Sequence, residues 1–196
     1  MRLIFVIGRP GSGKTTFIGL FKTQVKKILN ADLPIFNDRD VLLSFAREGS
    51  YPDLIQPIDH INFTVLDQRV FDVATAAIVA EAAAADSTES PFAVVEFSRQ
   101  NYLATFAIVA SVINDYELIV HLAAPLDVCI ERNMQRTSHV VPETEMRKYF
   151  DTDDIEMLRE REGERVLALS NNSTLAVLEE HASLVMTRLL ERLGRD

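Results

Sequence analysis

Gly8, Arg9, Pro10, Gly11, Ser12, Gly13, Lys14 and Thr15 fit the spacing G-x-x-x-x-G-K-[ST], and an apolar run at 3–7 stands directly before them. Glycines in such a loop adopt backbone angles closed to other residues and bring successive N–H groups up to phosphate oxygens. Lys14 would reach the β/γ-phosphates as a point charge, the Thr15 hydroxyl would face a Mg²⁺ ion, and Thr16 beside it would belong to the nucleotide-binding set. A helix opening near Ser12 would add its N-terminal partial positive charge under the same phosphates. These residues are expected to hold a nucleoside triphosphate.

Other motifs narrow the chemistry. No guanine-reading N-K-x-D occurs, which turns the expected donor toward ATP. The paired acidic residues of ATP-driven motors are missing, since the strand-like run at 92–97 carries a single carboxylate, Glu96, and the transporter signature S-G-G-Q is absent. Glu96 is a candidate holder of a metal-bound water beside Thr15. Arg99, three residues on, either pairs with Glu96 or grips the acceptor. Arg132 and Arg136 stand one helical turn apart, off the stripe of Leu126, Ile130 and Met134 expected to face the core. Guanidinium groups there can stabilise the charge that spreads over a transferring phosphoryl group.

The elements that must position these residues read as an α/β fold with a mainly parallel sheet. Five short, nearly all-apolar runs (3–7, 33–36, 92–97, 117–122, 165–169) alternate with helical patterns, as strands buried on both faces do. Helices are expected at 13–29, 58–85, 102–112, from Pro125 onward, and at 173–193. Gly49-Ser50-Tyr51-Pro52 breaks the chain, 88–91 forms a polar turn, and 151–164 reads as a solvated helix face. With 196 residues, one domain is expected, with a helical insert at about 40–85 and a lid at about 132–150. The net charge of −9 disfavours extended nucleic-acid binding. A single cysteine, Cys129, together with the lack of a signal peptide or membrane-length apolar run, points to the cytoplasm. Cys129 and His121 are expected to be structural, and His139 a solvated residue of the lid. Tyr51, Phe63 and Phe71 are expected in the core, and the oligomeric state has no sequence signal.

The stretch Arg132-Asn133-Met134-Gln135-Arg136, followed by Val141-Pro142, resembles the lid of phosphate-loop kinases, in particular polynucleotide 5′-hydroxyl kinases and their small-substrate relatives. The order of elements is similar to that of nucleoside monophosphate kinases. The resemblance implies a three-layer phosphate-loop fold with sheet order 2-3-1-4-5 and a helical lid. It also implies an ATP- and Mg²⁺-dependent kinase acting on a small hydroxyl- or phosphate-bearing acceptor of nucleoside- or nucleotide-like kind. By the same resemblance, Asp38, or failing that Asp40, would accept the acceptor's proton. Arg39 would lie on the acceptor, Arg132 would serve both nucleotide and transferring group, and Asn171 would pack near adenine. Polynucleotide kinases prefer adjacent aspartates followed by an arginine; here Arg39 separates Asp38 from Asp40, and Leu42 or Leu43 stands in place of that arginine. End phosphorylation of nucleic acid, and a nucleotide-binding switch without an acceptor, are the alternatives. Where the resemblance is silent, Asp38 or Asp40 can instead serve the start of a helix, and Asn172 or Ser173 can cap the last one.

Overall fold

The structure is a computed structural model that describes residues 1–85, 90–136, 140–152 and 154–194. His139 and the first half of the turn expected at 88–91 lie outside the described residues. Strand β1 (Arg2–Gly8) leads through the glycine-rich loop into helix α1 (Lys14–Leu29). A short strand β2 (Ile35–Asn37) and helix α2 (Asp38–Glu48) follow, then a hairpin of β3 (Ile55–Pro57) and β4 (Phe63–Val65) and helix α3 (Arg69–Ala84). The second half runs β5 (Phe92–Phe97), α4 (Tyr102–Val112), β6 (Leu118–Ala123), α5 (Leu126–Met134), α6 (Glu143–Lys148), α7 (Ile155–Glu162), β7 (Val166–Ser170) and α8 (Leu175–Leu193).

The main sheet has the order β2-β5-β1-β6-β7, with every pairing parallel. Counted within that sheet the order is 2-3-1-4-5, as the resemblance implied. Because side chains alternate along a strand, each strand feeds two cores. Ile4 and Val6 join Val94, Val120 and Leu122 under α1 and α8, whereas Leu3, Phe5 and Ile7 join Val95 and Phe97 under α3, α4 and α7. Phe5 is the centre of the second core, meeting Phe106 and Tyr116 edge-on at 5.2 and 5.1 Å. The register brings Asn37 beside Glu96, Ile7 beside Phe97, Gly8 beside Leu122 and Ala123 beside Ser170. All five carboxyl ends therefore share one edge, where open α/β sheets bind ligands.

The region at 40–85 departs from expectation. Helix α3 begins at Arg69, not near Ile58, and a β-hairpin occupies the preceding residues. Two aspartates explain the difference. Asp59 Oδ1 accepts from the N–H groups of Ile61 and Asn62 at 2.7 and 2.8 Å, closing the hairpin turn. Asp67 Oδ1 accepts from Arg69 N at 2.9 Å, just where α3 starts. Such local side-chain bonds offer the backbone an alternative to helix, so an apolar pattern alone overruns the true start. Tyr51, Phe63 and Phe71 pack around the small core of Leu42, Ile55 and Val70, as expected. The stretch at 151–164 is not wholly solvated either: α7 buries Ile155 and Leu158 against the α4 side of the sheet. Among the described residues, no helix is long and apolar enough to cross a membrane.

Candidate active site

The glycine-rich loop wraps the sheet edge because three of its positions have room for hydrogen only. At Gly11, with φ +81°, a Cβ would come within 2.4 Å of the Cys129 carbonyl oxygen. At Gly13, with φ +92°, it would meet Asn171 Nδ2 at 2.2 Å. At Gly8 it would meet Leu122 O at 2.6 Å. Pro10 and Ser12 are buried beneath the loop, and Asn171 Nδ2 donates to Ser12 O at 2.7 Å. Arg132 Nη1 in turn donates to Asn171 O at 2.9 Å, so the loop, the end of β7 and helix α5 are locked together. Thr174 occupies the N-cap position of α8 without a side-chain cap bond, so neither Asn172 nor Ser173 has that role.

Lys14 is buried, and its ammonium donates to Gly8 O at 3.0 Å, Arg9 O at 3.3 Å and Ser98 Oγ at 2.7 Å. Burial lowers its pKa from the ordinary value, against an opposing pull from Glu96 and Asp38. Glu96 moves the other way: burial raises it, and Lys14 counters. Thr15 Oγ1 donates to Glu96 Oε1 at 3.4 Å, so a hydroxyl and a carboxylate stand side by side next to Lys14.

A cavity of about 780 Å³ opens over these groups. Thr15, Thr16, Glu96, Arg39, Arg132 and Arg136 line it. Leu175, which is 57% exposed, and Leu178 add an apolar wall. A cleft of about 770 Å³ lies at the opposite, amino edge of the sheet, where Glu117 is bound by both Arg2 and Arg192.

Asp38 and Asp40 have different surroundings. Asn37 caps α2, its side chain accepting from Asp40 N at 3.0 Å and donating to Asp40 Oδ2 at 2.6 Å. Asp40 is thus a first-turn carboxylate, 68% exposed. Asp38 does not cap the helix. It pairs with Arg99 Nη1, and only 18% of its side chain is exposed. The pairing of Arg99 with Glu96 considered from the sequence is not made. Arg99 instead donates to Thr75 Oγ1 from Nε and Nη2 at 3.2 and 2.9 Å, to Ser98 O at 2.7 Å and to Phe71 O at 3.2 Å. Its guanidinium lies 5.0 Å from the centre of the Phe71 ring and 5.2 Å from that of Phe97. Arg39 Nη2 donates to Ile61 O at 3.1 Å, while its buried Nε makes no hydrogen bond.

The lid stem also differs in detail. Helix α5 buries Cys129 and Asn133, whereas Met134 is 73% exposed and stands off the core. The cause is Asn133, whose amide donates to Val141 O at 2.8 Å and accepts from Val141 N at 3.0 Å. That two-way bond turns the helix so that Asn133 points inward. Arg136 lies just past the helix end and faces the cavity. Arg147 and Lys148 pair with Glu143 and Glu145 on their own helix. Cys129 is buried, which raises its pKa, and His121 meets Tyr102 edge-on at 5.7 Å.

Residues with no signal in the sequence complete the site. Thr75, Phe71 and Ser98 hold Arg99 and Lys14 through contacts distant along the chain. Tyr149, beyond the last turn of α6, is raised in pKa first by burial and also by Asp38, while Arg99 lowers it, so it lies within electrostatic reach of the Asp38–Arg99 pair. Asn133 had a partial signal in its fixed place between two arginines.

No family model matches the sequence, and no curated protein matches it. Solved structures do match. A sugar kinase from Janibacter sp. HTCC2649 superposes with a TM-score of 0.59 at 17% identity, covering 93% of this chain and 92% of the other. A gluconokinase from Sinorhizobium meliloti 1021 gives 0.58 at 22% identity, covering 98% and 95%. A shikimate kinase from Acinetobacter baumannii, in complex with shikimate, gives 0.56 at 14% identity, covering 98% and 94%. The chain has the phosphate-loop fold of the nucleoside monophosphate kinase-like group, which it shares with these small-molecule kinases.

Proposed function

We propose that the chain is an ATP-dependent kinase that transfers the γ-phosphoryl group to a hydroxyl of a small anionic acceptor. One observation carries this reading: a sheltered carboxylate, Asp38, is held by Arg99 within electrostatic reach of Lys14 and Glu96 at the end of the glycine-rich loop. A triphosphate on the loop amides would draw on Lys14 and the α1 N-terminus, with its base against Leu175 and Leu178. Asp38 would accept the proton of the attacking hydroxyl, and Asp40, exposed and tied to Asn37, is the weaker candidate. Arg132 and Arg136 would offset charge on the transferring group.

The Thr15 hydroxyl and Glu96 carboxylate suit Mg²⁺, which takes few protein oxygens and keeps much of its water. Bound there, the ion would neutralise charge on the β/γ-phosphates. Arg39, with an unpartnered Nε, supports an anionic group on the acceptor. Arg99 is engaged on all its nitrogens, which supports a role in holding Asp38 over direct contact with the acceptor. The shared fold of a sugar kinase, a gluconokinase and a shikimate kinase supports a carbohydrate-like acid as the first class to try, with nucleosides and nucleotides next.

The test is ATP consumption by the purified protein across sugar acids, sugars, nucleosides, nucleotides and oligonucleotide ends, with Mg²⁺. A response confined to one small anionic class is expected. A flat panel would sink the kinase reading in favour of a switch, and salt-sensitive labelling of oligonucleotide ends would move it to the polynucleotide kinases.

A further inference from the structure

We infer that Arg9 is a positioning residue that passes occupancy of the phosphate loop to the acceptor side and to the segment following α6. The inference rests on the proposed kinase activity only for its effect on turnover.

Arg9 is the second residue of the loop, and it is 7% exposed. Its main chain belongs to the phosphate cradle: Arg9 O accepts from Ser12 N at 3.0 Å and from Lys14 Nζ at 3.3 Å. Its side chain leaves the cradle. Nη1 donates to the carbonyls of Arg99 and Gln100, the second at 3.1 Å, and Nη2 donates to the carbonyl of Thr152. The guanidinium lies 4.8 Å from the centre of the Tyr102 ring. One planar fork therefore joins the loop to two segments that are 90 and 143 residues away in sequence. A lysine could not span them, because an ammonium is a point charge without the fork.

Each segment leads to working parts of the site. Arg99 holds Asp38, and Ser98 beside it accepts from Lys14. Thr152 follows α6 and precedes Asp154, whose buried carboxylate accepts from Leu103 N at 2.7 Å at the start of α4. Tyr149, three residues before Thr152, lies within electrostatic reach of the Asp38–Arg99 pair. A triphosphate would compete with Gly8 O, Arg9 O and Ser98 Oγ for the Lys14 ammonium. The Lys14 contacts to Arg9 O and Ser98 Oγ would change together, and the rigid fork would carry the shift to Thr152. By linkage, closure at Thr152 would tighten the loop's hold on nucleotide by the same factor.

The test compares wild type with Arg9→Gln and Arg9→Lys, using a non-hydrolysable ATP analogue with Mg²⁺ and hydrogen exchange at 99–103 and 149–152. In wild type the analogue should slow exchange in both windows. Arg9→Gln should lose most of that protection and weaken analogue binding by about the factor of protection lost, with Arg9→Lys in between. Once an acceptor is known, Arg9→Gln should also lower kcat. If Arg9→Gln does not fold, Arg9→Lys carries the comparison, since it keeps the charge and loses the fork. Full protection in the variants, or none in wild type, overturns the inference and leaves Arg9 a plain structural staple. Failure of every acceptor would sink the kinase reading while leaving the exchange result to stand or fall alone.

Discussion

Truncating Arg99 to alanine separates a residue that holds the site together from one that waits for an acceptor. The side chain is 6% exposed and makes four hydrogen bonds, two of them to Thr75 Oγ1, besides its ion pair with Asp38. Breaking a buried pair by removing one partner costs about 3–5 kcal/mol; because Asp38 keeps some contact with water, about 3 kcal/mol is the better figure here. For a chain of this size that lowers the thermal midpoint by about 6–12 °C. Thr75→Val, which keeps the shape and removes the shared acceptor, should cost about 1–2 kcal/mol. A double-mutant cycle between Asp38→Asn and Arg99→Ala should give a coupling of about 1–3 kcal/mol. Circular dichroism melts near pH 7 measure all of these. A midpoint for Arg99→Ala within about 2 °C of wild type, with no coupling to Asp38, would refute the argument, and Arg99 would return to the acceptor.

Three other substitutions test neighbouring parts. Asp38→Asn should lower kcat by about 10²–10⁴-fold and Asp40→Asn by less than about threefold, measured as initial rates; the reverse order would make Asp40 the base. Glu96 has a raised pKa in the fold, so its stability contribution is full below its ordinary value of 4.5 and is lost as pH rises through the folded value. Glu96→Gln should therefore gain on wild type in melts run from about pH 4 to pH 7, while needing more Mg²⁺ for activity. Gly11→Ala, forced to φ +81° with its Cβ at 2.4 Å from Cys129 O, should lose nucleotide binding in a titration with a fluorescent ATP analogue.

Much of the frame was legible because it rests on local pattern. The loop spacing, the all-apolar runs and the helix ends each report on a few neighbouring residues, and β5 and α4 fall where the pattern puts them. What escaped depends on partners far along the chain or on one side chain diverting the backbone. Asp59 and Asp67 cut the expected helix short through bonds spanning two or three residues. In the site, the loop, Glu96 and the two arginines could be named in advance, but the difference between Asp38 and Asp40 could not. It arises from Arg99, 61 residues away from Asp38, and from Asn37, which binds only one of the two aspartates. Arg9 gave no sign, since its partners lie 90 residues or more downstream.

The cavity sets four cations, Lys14, Arg39, Arg132 and Arg136, against the single carboxylate of Glu96, inside a chain whose net charge is −9. The two fields act over different ranges. At physiological ionic strength, screening sets in over about 8 Å, so a distant anion meets the negative exterior first and the cations only near contact. Added salt removes the outer repulsion while touching the short-range, partly buried attraction much less. A triphosphate should thus associate no more slowly, or even faster, as ionic strength rises, the reverse of what a basic surface would give. Capture by this chain is a matter of the last few ångströms, with the approach itself mildly uphill.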